Sequence, residues 1–335
     1  IQLSVGSVGK ATSDFDIICR ATTFRQMKVR RSLIRRSKAL ILSFNLAHQK
    51  HFIDLQSIAC NDLNDVLLGS LMIESIKNIK SVDVVRRITF GQADALVFRS
   101  RAIMAFTAAN AIASTMRHVA SVKPTFRMIF AAAPSQSEVL DALTAIPNLP
   151  WDQVIAFHMD DYLGLPATAP QRFANWLEGH LFSKVPLAEV HRIPASGVPD
   201  EICRTYADKL AEEPIDIICL GIGVNGHIAF NDPPVADFDD PLSVKVVELD
   251  EICRQQQVDD ACFESIKLVP AMAVTLTIPQ LLAADALFCT VPGAQKRSAV
   301  KATIAGPIST DCPASILRTH KNCTLFLDAE ADPNV

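Results

Sequence analysis

Residues 215–234 read IDIICLGIGVNGHIAFNDPP, and this stretch decides the fold of the 335-residue chain. The apolar, β-branched run at 215–220 predicts a buried strand. Three glycines, which allow the backbone to pass close to a ligand, follow it: Gly221, Gly223 and Gly226. His227 and Asp232 complete the loop, so a titratable ring and an acid follow the carboxyl end of a strand. Open α/β sheets bind their ligands at that edge.

The glycines also match the G-x-G-x-x-G spacing of dinucleotide-binding loops. That fingerprint needs a helix that starts at the loop and directs its N-terminus at the pyrophosphate. Pro233 and Pro234 would stop such a helix, because proline lacks an N–H and clashes with the preceding turn. We therefore expect another kind of ligand loop, with a purely structural loop as the alternative.

Strands alternate with helices along the rest of the chain from about Asp94. Predicted strands cover residues 126–132, 154–158, 215–220, 244–249, 273–278, 286–291 and 324–327. Helices are predicted over residues 95–117, 170–182 and 206–211, and in the segments after residues 136 and 296. This alternation predicts an α/β fold with a doubly wound, mostly parallel sheet and helices on both faces, of the Rossmann-like type.

The first part of the chain differs from this pattern. A basic cluster at residues 28–38 has little aromatic interleaving, which favours a solvated helix face over a nucleic-acid site. We expect residues 1–85 to be an atypical, loosely ordered N-terminal extension and residues 86–335 to form the α/β domain. Because the chain starts at Ile1 rather than methionine, we expect a fragment, a processed product or an incomplete sequence.

The composition excludes several functional classes. A net charge of −4 gives no whole-chain reason to expect a nucleic-acid partner. No apolar run reaches the roughly 18 residues of a membrane span. The nine cysteines include no C-x-x-C pair, so neither a zinc site nor a disulfide framework is predicted. We expect a cytoplasmic protein without a metal and without a membrane partner.

Four loops that follow predicted strands carry polar residues: 133–137, 158–165, 221–232 and 292–296. Because the carboxyl ends of parallel strands share one edge, we expect these loops to converge. Asp160 and Asp161 are adjacent acids, and their repulsion can raise the pKa of one of them into a range suited to proton transfer. The alternative is that they cap a turn.

Ser135 and Gln136 stand just before a predicted helix, where hydroxyl and free N–H groups can hold a phosphate. An ordinary N-cap is the alternative. Lys296 can bind an anion, or it can simply be solvated. Together with Asp160 and His227, these residues predict a site that isomerises a sugar phosphate by moving a proton between adjacent carbons.

Three segments resemble the glucosamine-6-phosphate deaminases, also called glucosamine/galactosamine-6-phosphate isomerases. The segments are FHMDDYLGLP at 157–166, GIGVNGHIAFNDP at 221–233 and GAQK at 293–296. The resemblance covers about residues 95–330. It implies an enzyme that converts glucosamine-6-phosphate, or a close relative, to fructose-6-phosphate and ammonia without a metal or organic cofactor. It leaves a homo-oligomer open.

The resemblance also implies a role for each matching residue. Asp160 would move the proton between C2 and C1, and His227 would help to open the pyranose ring. Asp232 would be the acid partner of that histidine, where the family commonly has glutamate. Lys296 would bind the phosphate, and Ser135 takes the place of a threonine in the phosphate loop. Substrate binding is expected to involve Gln136, Asp161, Gly221, Gly223 and Gly226.

Three departures make this a divergent member. Asn225 stands where the family often has aspartate, and an amide cannot stabilise an imidazolium as a carboxylate would. We therefore place Asn225 in the catalytic set and expect weaker ring opening. The phosphate loop reads APSQ at 133–136 instead of a Thr-Gly-Gly-Thr-Pro type, and Lys267 is the nearest cation where typical members have phosphate-binding arginines.

Two other functions remain open from the sequence. A 6-phosphogluconolactonase-like hydrolase would use His227 to activate water and would not need Asp160 for proton transfer. A non-catalytic sugar-phosphate sensor could keep the phosphate loop and lose the catalytic acids. The presence of both Asp160 and His227 favours the deaminase over either alternative.

Overall fold

The computed structural model describes residues 84–334, and the predicted extension lies outside this range except for its last two residues. The strands are β1 (Val84–Phe90), β2 (Ala93–Phe98), β3 (Phe126–Phe130), β4 (Val154–His158), β5 (Asp160–Tyr162), β6 (Glu189–Val190), β7 (Ile217–Leu220), β8 (Val244–Glu248), β9 (Met272–Leu276), β10 (Ala286–Val291) and β11 (Cys323–Asp328). The α-helices are α1 (Arg101–Ala120), α2 (Ser137–Thr144), α3 (Phe173–Leu177), α4 (Pro199–Ala211), α5 (Glu251–Asp259), α6 (Ile278–Leu282) and α7 (Arg297–Ala305).

Eight strands form one sheet in the order β1-β2-β11-β10-β7-β3-β4-β6. Every neighbouring pair is parallel except β1 and β2, which form an antiparallel hairpin at one edge. Helices cover both faces, so the predicted doubly wound, mostly parallel sheet is confirmed. A second, antiparallel sheet, in the order β5-β9-β8, was not predicted.

The large sheet separates two hydrophobic cores. On β10, Phe288 packs into the core that contains α1 and α2, while Leu287 and Cys289 pack into the core that contains α4 and α7. Since the central strands are buried on both faces, their sequences are continuous apolar runs rather than alternating ones. This is why residues 286–291 were readable as a strand from the sequence.

Two local predictions were wrong. Residues 95–98 belong to strand β2, not to a helix, because an apolar run this short fits either element by periodicity and here pairs with β11. Residues 160–162 were expected in a loop, but they form β5 and pair with β9. Neither pairing partner is near in sequence, so local patterns could not indicate it. Within residues 84–334, none of the helices is both long and apolar enough to span a membrane.

The strand order reverses between β3 and β7, which are hydrogen-bonded neighbours. From β3 the chain proceeds to β4 and β6 on one side, and from β7 it proceeds to β10 and β11 on the other. The loops that leave β3 and β7 therefore diverge and open a crevice at the carboxyl edge. Doubly wound sheets bind ligands at this kind of switch point.

Asp161 on β5 fastens the small sheet to helix α3. Its carboxylate pairs with Arg172 at 2.8 Å, and both side chains are buried, with exposures of 0% and 5%. The same carboxylate accepts the N–H groups of Phe173 at 3.0 Å and Ala174 at 3.4 Å, at the start of α3. It also accepts the N–H of Tyr162 at 2.9 Å. Asp161 therefore has a structural role, because it binds Arg172 and the backbone N–H groups at the start of α3.

We expect Asp161→Asn to lower the free energy of unfolding by about 3–5 kcal/mol, because it leaves the buried Arg172 guanidinium without a counter-charge. Urea unfolding measures this loss. The matched control is Asp141→Asn, which removes an ion pair with Lys184 whose aspartate side chain is 60% exposed. That change should cost about 0–1 kcal/mol. Equal losses of unfolding free energy for the two variants would show that the buried ion pair stabilises the fold no more than the exposed one does.

Candidate active site

The loops after β3, β4, β7 and β10 meet at one cavity on the carboxyl edge of the large sheet. The structure thus brings together the four loops that the sequence singled out. Seven of the predicted site residues line the cavity: Ser135, Gln136, Asp160, Gly221, Gly223, His227 and Lys296.

Two predicted substrate contacts lie away from the cavity lining. Asp161 does not reach the cavity, because its carboxylate is fully buried and already holds Arg172 and the start of α3. This geometry gives Asp161 a structural role, and its predicted substrate contact stays a prediction. Gly226 also lies outside the lining, and its φ of 84° marks a turn. A Cβ at that position would lie 2.7 Å from the Sγ of Cys312, so the glycine serves the path of the loop.

Asp232 lies behind the imidazole of His227. Its Oδ1 is 2.8 Å from Nδ1 of the ring, and the Asp232 side chain is fully buried. The oxygen lies off the direction of a straight N–H hydrogen bond. Burial opposes ionisation of Asp232, but the contacts with His227 and Asn225 outweigh it and lower the pKa of this carboxyl. Asp232 therefore supplies a negative charge next to the ring.

Asn225 holds this pair in place through its amide. Its Nδ2 donates to Oδ1 of Asp232 at 3.0 Å and lies 3.4 Å from Oδ2 of Asp250. Its Oδ1 accepts the backbone N–H of His227 at 3.1 Å. An aspartate here would bring a third carboxylate against Asp232 and Asp250. The amide thus fits its surroundings, and the charged partner of the imidazole is Asp232.

Gly223 makes room for the His227 ring. A Cβ on Gly223 would lie 2.1–2.3 Å from three atoms of the imidazole, far inside van der Waals contact. The backbone N–H of Gly223 also donates to the carbonyl of His227 at 2.9 Å. The glycine that seemed to serve ligand approach therefore fixes the position of the histidine as well.

Asp160 is an almost fully buried acid at the cavity wall. Burial raises its pKa well above the ordinary aspartate range, and the charges of Asp161 and Asp232 raise it further.

His158 fixes the backbone of Asp160 through a hydrogen bond. Nε2 of His158 accepts the N–H of Ile193 at 2.9 Å, so Nδ1 carries the proton and donates to the Asp160 carbonyl at 2.9 Å. Burial lowers the pKa of His158 and keeps it neutral.

Lys296 forms the cationic end of the cavity. It is buried, and burial lowers its pKa to about 8. Its loop is anchored by Gly293, whose N–H lies 3.1 Å from each carboxylate oxygen of Asp328. On the facing loop, Oε1 of Gln136 accepts the hydroxyl of Thr290 at 2.8 Å. Gln136 thus links the loop after β3 to strand β10, while Lys296 supplies the positive charge.

Helix α5 contributes lining residues that the sequence analysis did not identify: Gln256, Gln257 and, just after the helix, Asp260. The side chain of Gln256 accepts the N–H of Val224 at 2.9 Å and donates to Asp260 at 3.2 Å. Three consecutive glutamines in one helix were the available signal, because buried amides need hydrogen-bond partners. Phe173 and Phe230 add an aromatic wall.

The comparisons with known proteins agree with this geometry. The family profile described as glucosamine-6-phosphate isomerases/6-phosphogluconolactonase matches residues 99–326. The chain belongs to this family. The family resemblance inferred from the three sequence segments is thereby confirmed.

Two bacterial members of the family named glucosamine-6-phosphate deaminase show the extent of the likeness. The protein of Listeria welshimeri is 34% identical over 201 residues, which are 60% of this chain and 84% of the relative. A Bacillus cereus relative is 34% identical over 186 residues, which are 55% of this chain and 69% of the relative.

Solved structures of the family give the same fold. A monomeric glucosamine-6-phosphate deaminase is 27% identical with a TM-score of 0.66, and the match covers 71% of this chain and 98% of that one. The 6-phosphogluconolactonase of Thermotoga maritima is 17% identical with a TM-score of 0.58, over 70% of this chain and 99% of that one. The second likeness shows the fold alone.

We expect Gly223→Ala to lower kcat/KM by about 100-fold, because the added methyl group displaces the His227 ring by about 1 Å or more. Ammonia release from glucosamine-6-phosphate, the substrate in the relatives' name, measures the effect. Gly179→Ala is the matched control, since a Cβ there meets nothing within 4 Å. If the Gly223 variant kept normal kinetics, the ring position would not matter for the reaction.

We expect Asn225→Asp to raise the pKa of Asp232, because the new carboxylate lies against it and like charges repel. The pKa of Asp160 is already raised and sets the acid limb of the kcat/KM profile, so carboxyl NMR titration of Asp232 measures the shift instead. The exposed change Asn110→Asp is the control. An unchanged Asp232 pKa would contradict the like-charge contact at position 225.

Proposed function

We propose that this protein is a glucosamine-6-phosphate deaminase, which forms fructose-6-phosphate and ammonia. One observation carries the proposal: a buried acid, Asp160, shares a cavity with Lys296 and with His227, whose ring has Asp232 behind it. The cavity therefore contains one group for proton transfer, one for ring opening and one for anion binding. The relatives that carry this name support the choice of substrate.

Lys296 and Ser135 bind the phosphate in this proposal. The ammonium of Lys296 is buried at the cavity wall, where little water competes for it. A bound phosphate dianion offsets the desolvation that lowers the pKa of Lys296, and so favours its charged form. With the phosphate held at this end, the sugar carbons extend across the cavity toward Asp160 and His227.

His227 opens the sugar ring. The imidazole moves the proton of the C1 hydroxyl to the ring oxygen as the C1–O5 bond breaks, which leaves an aldehyde at C1. During this transfer the ring is transiently cationic, and the carboxylate of Asp232, 2.8 Å from Nδ1, stabilises that charge. Gly223 and Asn225 position the ring and its backbone for the step.

Asp160 then isomerises the open chain. As a carboxylate it takes the proton from C2, and an enolamine forms as the electrons reach the C1 oxygen. The same group returns the proton to C1, which gives a C2 imine. Water adds to C2, and ammonia leaves to give the ketose. Because its pKa is raised, Asp160 is a stronger base than an ordinary aspartate, and it loses this function as the pH falls through that raised value.

The proposal needs no metal and no organic cofactor. It also places the enzyme in the cytoplasm, with a small sugar phosphate as its partner, and it leaves the oligomeric state open. The lactonase alternative is weaker because such a hydrolase has no use for Asp160 at the cavity wall, and the lactonase structures match at 13–18% identity. A sensor would have no use for either Asp160 or His227.

We expect the protein to release ammonia from glucosamine-6-phosphate, and we expect Asp160→Asn to lower kcat by about 100- to 10,000-fold. The amide keeps the shape of the side chain but cannot take the C2 proton. A coupled ammonia assay measures the rate, and galactosamine-6-phosphate serves as the epimer comparison. Asp152→Asn, at an exposed aspartate, is the control and should leave the rate unchanged.

Two results would overturn the proposal. One is a folded wild-type protein that releases no ammonia from either amino-sugar phosphate but hydrolyses 6-phosphogluconolactone. The other is ammonia release that persists in the Asp160 variant, which would assign the C2 proton to another base.

A further inference from the structure

A buried cysteine lies beside the His227–Asp232 pair. Cys253 on helix α5 is fully buried. A ring nitrogen of His227, a carboxylate oxygen of Asp232 and Sγ of Cys253 all lie within 4.8 Å of one another. The reaction proposed above does not use Cys253. Three different metal-binding groups therefore meet at one point, from two segments distant in sequence.

The separation of these atoms suits one zinc ion. Zinc lies about 2.0–2.3 Å from nitrogen, oxygen and sulfur ligands, so tetrahedral ligands are about 3.3–3.8 Å apart. The Nδ1–Oδ1 separation of His227 and Asp232 is 2.8 Å, and the remaining separations are at most 4.8 Å. Side-chain shifts of about 1 Å or less therefore bring all three atoms into a zinc shell.

A second observation points to a ligand at this place. Nδ1 of His227 is buried and has no hydrogen-bond partner of acceptable direction, although Asp232 is close. A buried ring nitrogen without a well-directed hydrogen-bond partner is available as a ligand atom for an ion. His227 lines the cavity and Cys253 does not, so an ion reaches the cluster through the histidine.

We propose that His227, Asp232 and Cys253 bind a divalent cation of the zinc class, and that this ion inhibits the enzyme. The thiolate, imidazole and carboxylate set favours zinc or cobalt over magnesium or calcium, which prefer oxygen ligands. A bound ion occupies the imidazole and neutralises Asp232, so the ring no longer transfers protons during ring opening. The metal-binding site does not depend on the proposed function, and only its inhibitory effect rests on that function.

The binding step is an exchange of a proton for the metal. The S–H bond of Cys253 breaks, a zinc–sulfur bond forms, and the proton goes to the solvent. His227 and Asp232 donate lone pairs without any change of oxidation state. Water from the cavity completes the fourth position.

The first test uses Co²⁺ as a spectroscopic probe of the wild-type protein. Binding at the cluster gives a thiolate-to-cobalt charge-transfer band, which Zn²⁺ abolishes by competition and Mg²⁺ does not. We expect Cys253→Ser and Cys253→Ala to lose the band and to bind zinc at least about 10- to 100-fold more weakly. Cys203→Ala is the matched control, because it removes a buried cysteine on helix α4 instead.

The second test measures zinc sensitivity of ammonia release. Each variant is compared with its own zinc-free rate, and circular dichroism verifies that it is folded. Wild type and Cys203→Ala should be inhibited, whereas the Cys253 variants should be insensitive over the same range. A charge-transfer band in a protein without deaminase activity would support the metal site and reject the proposed function. The absence of the band, or a band that survives both Cys253 variants, would overturn the metal site.

Discussion

Burial of the large sheet on both faces is the constraint on which the rest of the structure depends. Helices cover each side, so the central strands carry mostly apolar residues toward both cores. Polar chemistry is left to the loops at the strand ends. The reversal of strand order between β3 and β7 separates two of these loops and opens a crevice there. The cavity follows from the topology before any particular side chain is considered.

Within the cavity region, partners decide what each buried acid does. Asp161 is neutralised by Arg172 and holds the start of α3, so it is structural. Asp232 lies against His227 and receives an amide hydrogen from Asn225, which keeps it charged. Among the described residues, no cation lies within ion-pair distance of Asp160, and burial keeps its pKa high. Three aspartates close together thus have three different functions.

The four site loops could be predicted from the sequence, because each follows an apolar strand and carries residue types that have few functional roles. The GIGVNGHIAFNDP segment and the Asp160–Asp161 pair predicted the cavity, and seven of the predicted site residues line it. Gln256, Gln257 and Asp260 escaped prediction because they enter from helix α5, which belongs to no strand–loop unit of the large sheet. Strand β5 escaped because its pairing partner, β9, lies more than 100 residues away.

The sequence by itself determined the alternation of strands and helices, the parallel sheet, the family and the residues able to do acid–base chemistry. These depend on local composition and spacing, which a chain displays before it folds. Only the tertiary structure decided that the Asp161 carboxylate binds Arg172 and the start of α3 and does not line the cavity. It also brought Cys253 against the His227–Asp232 pair. The burial of a side chain and its partners within a few ångströms control these roles. Local sequence patterns do not indicate such contacts, because the contacting segments are distant in the sequence.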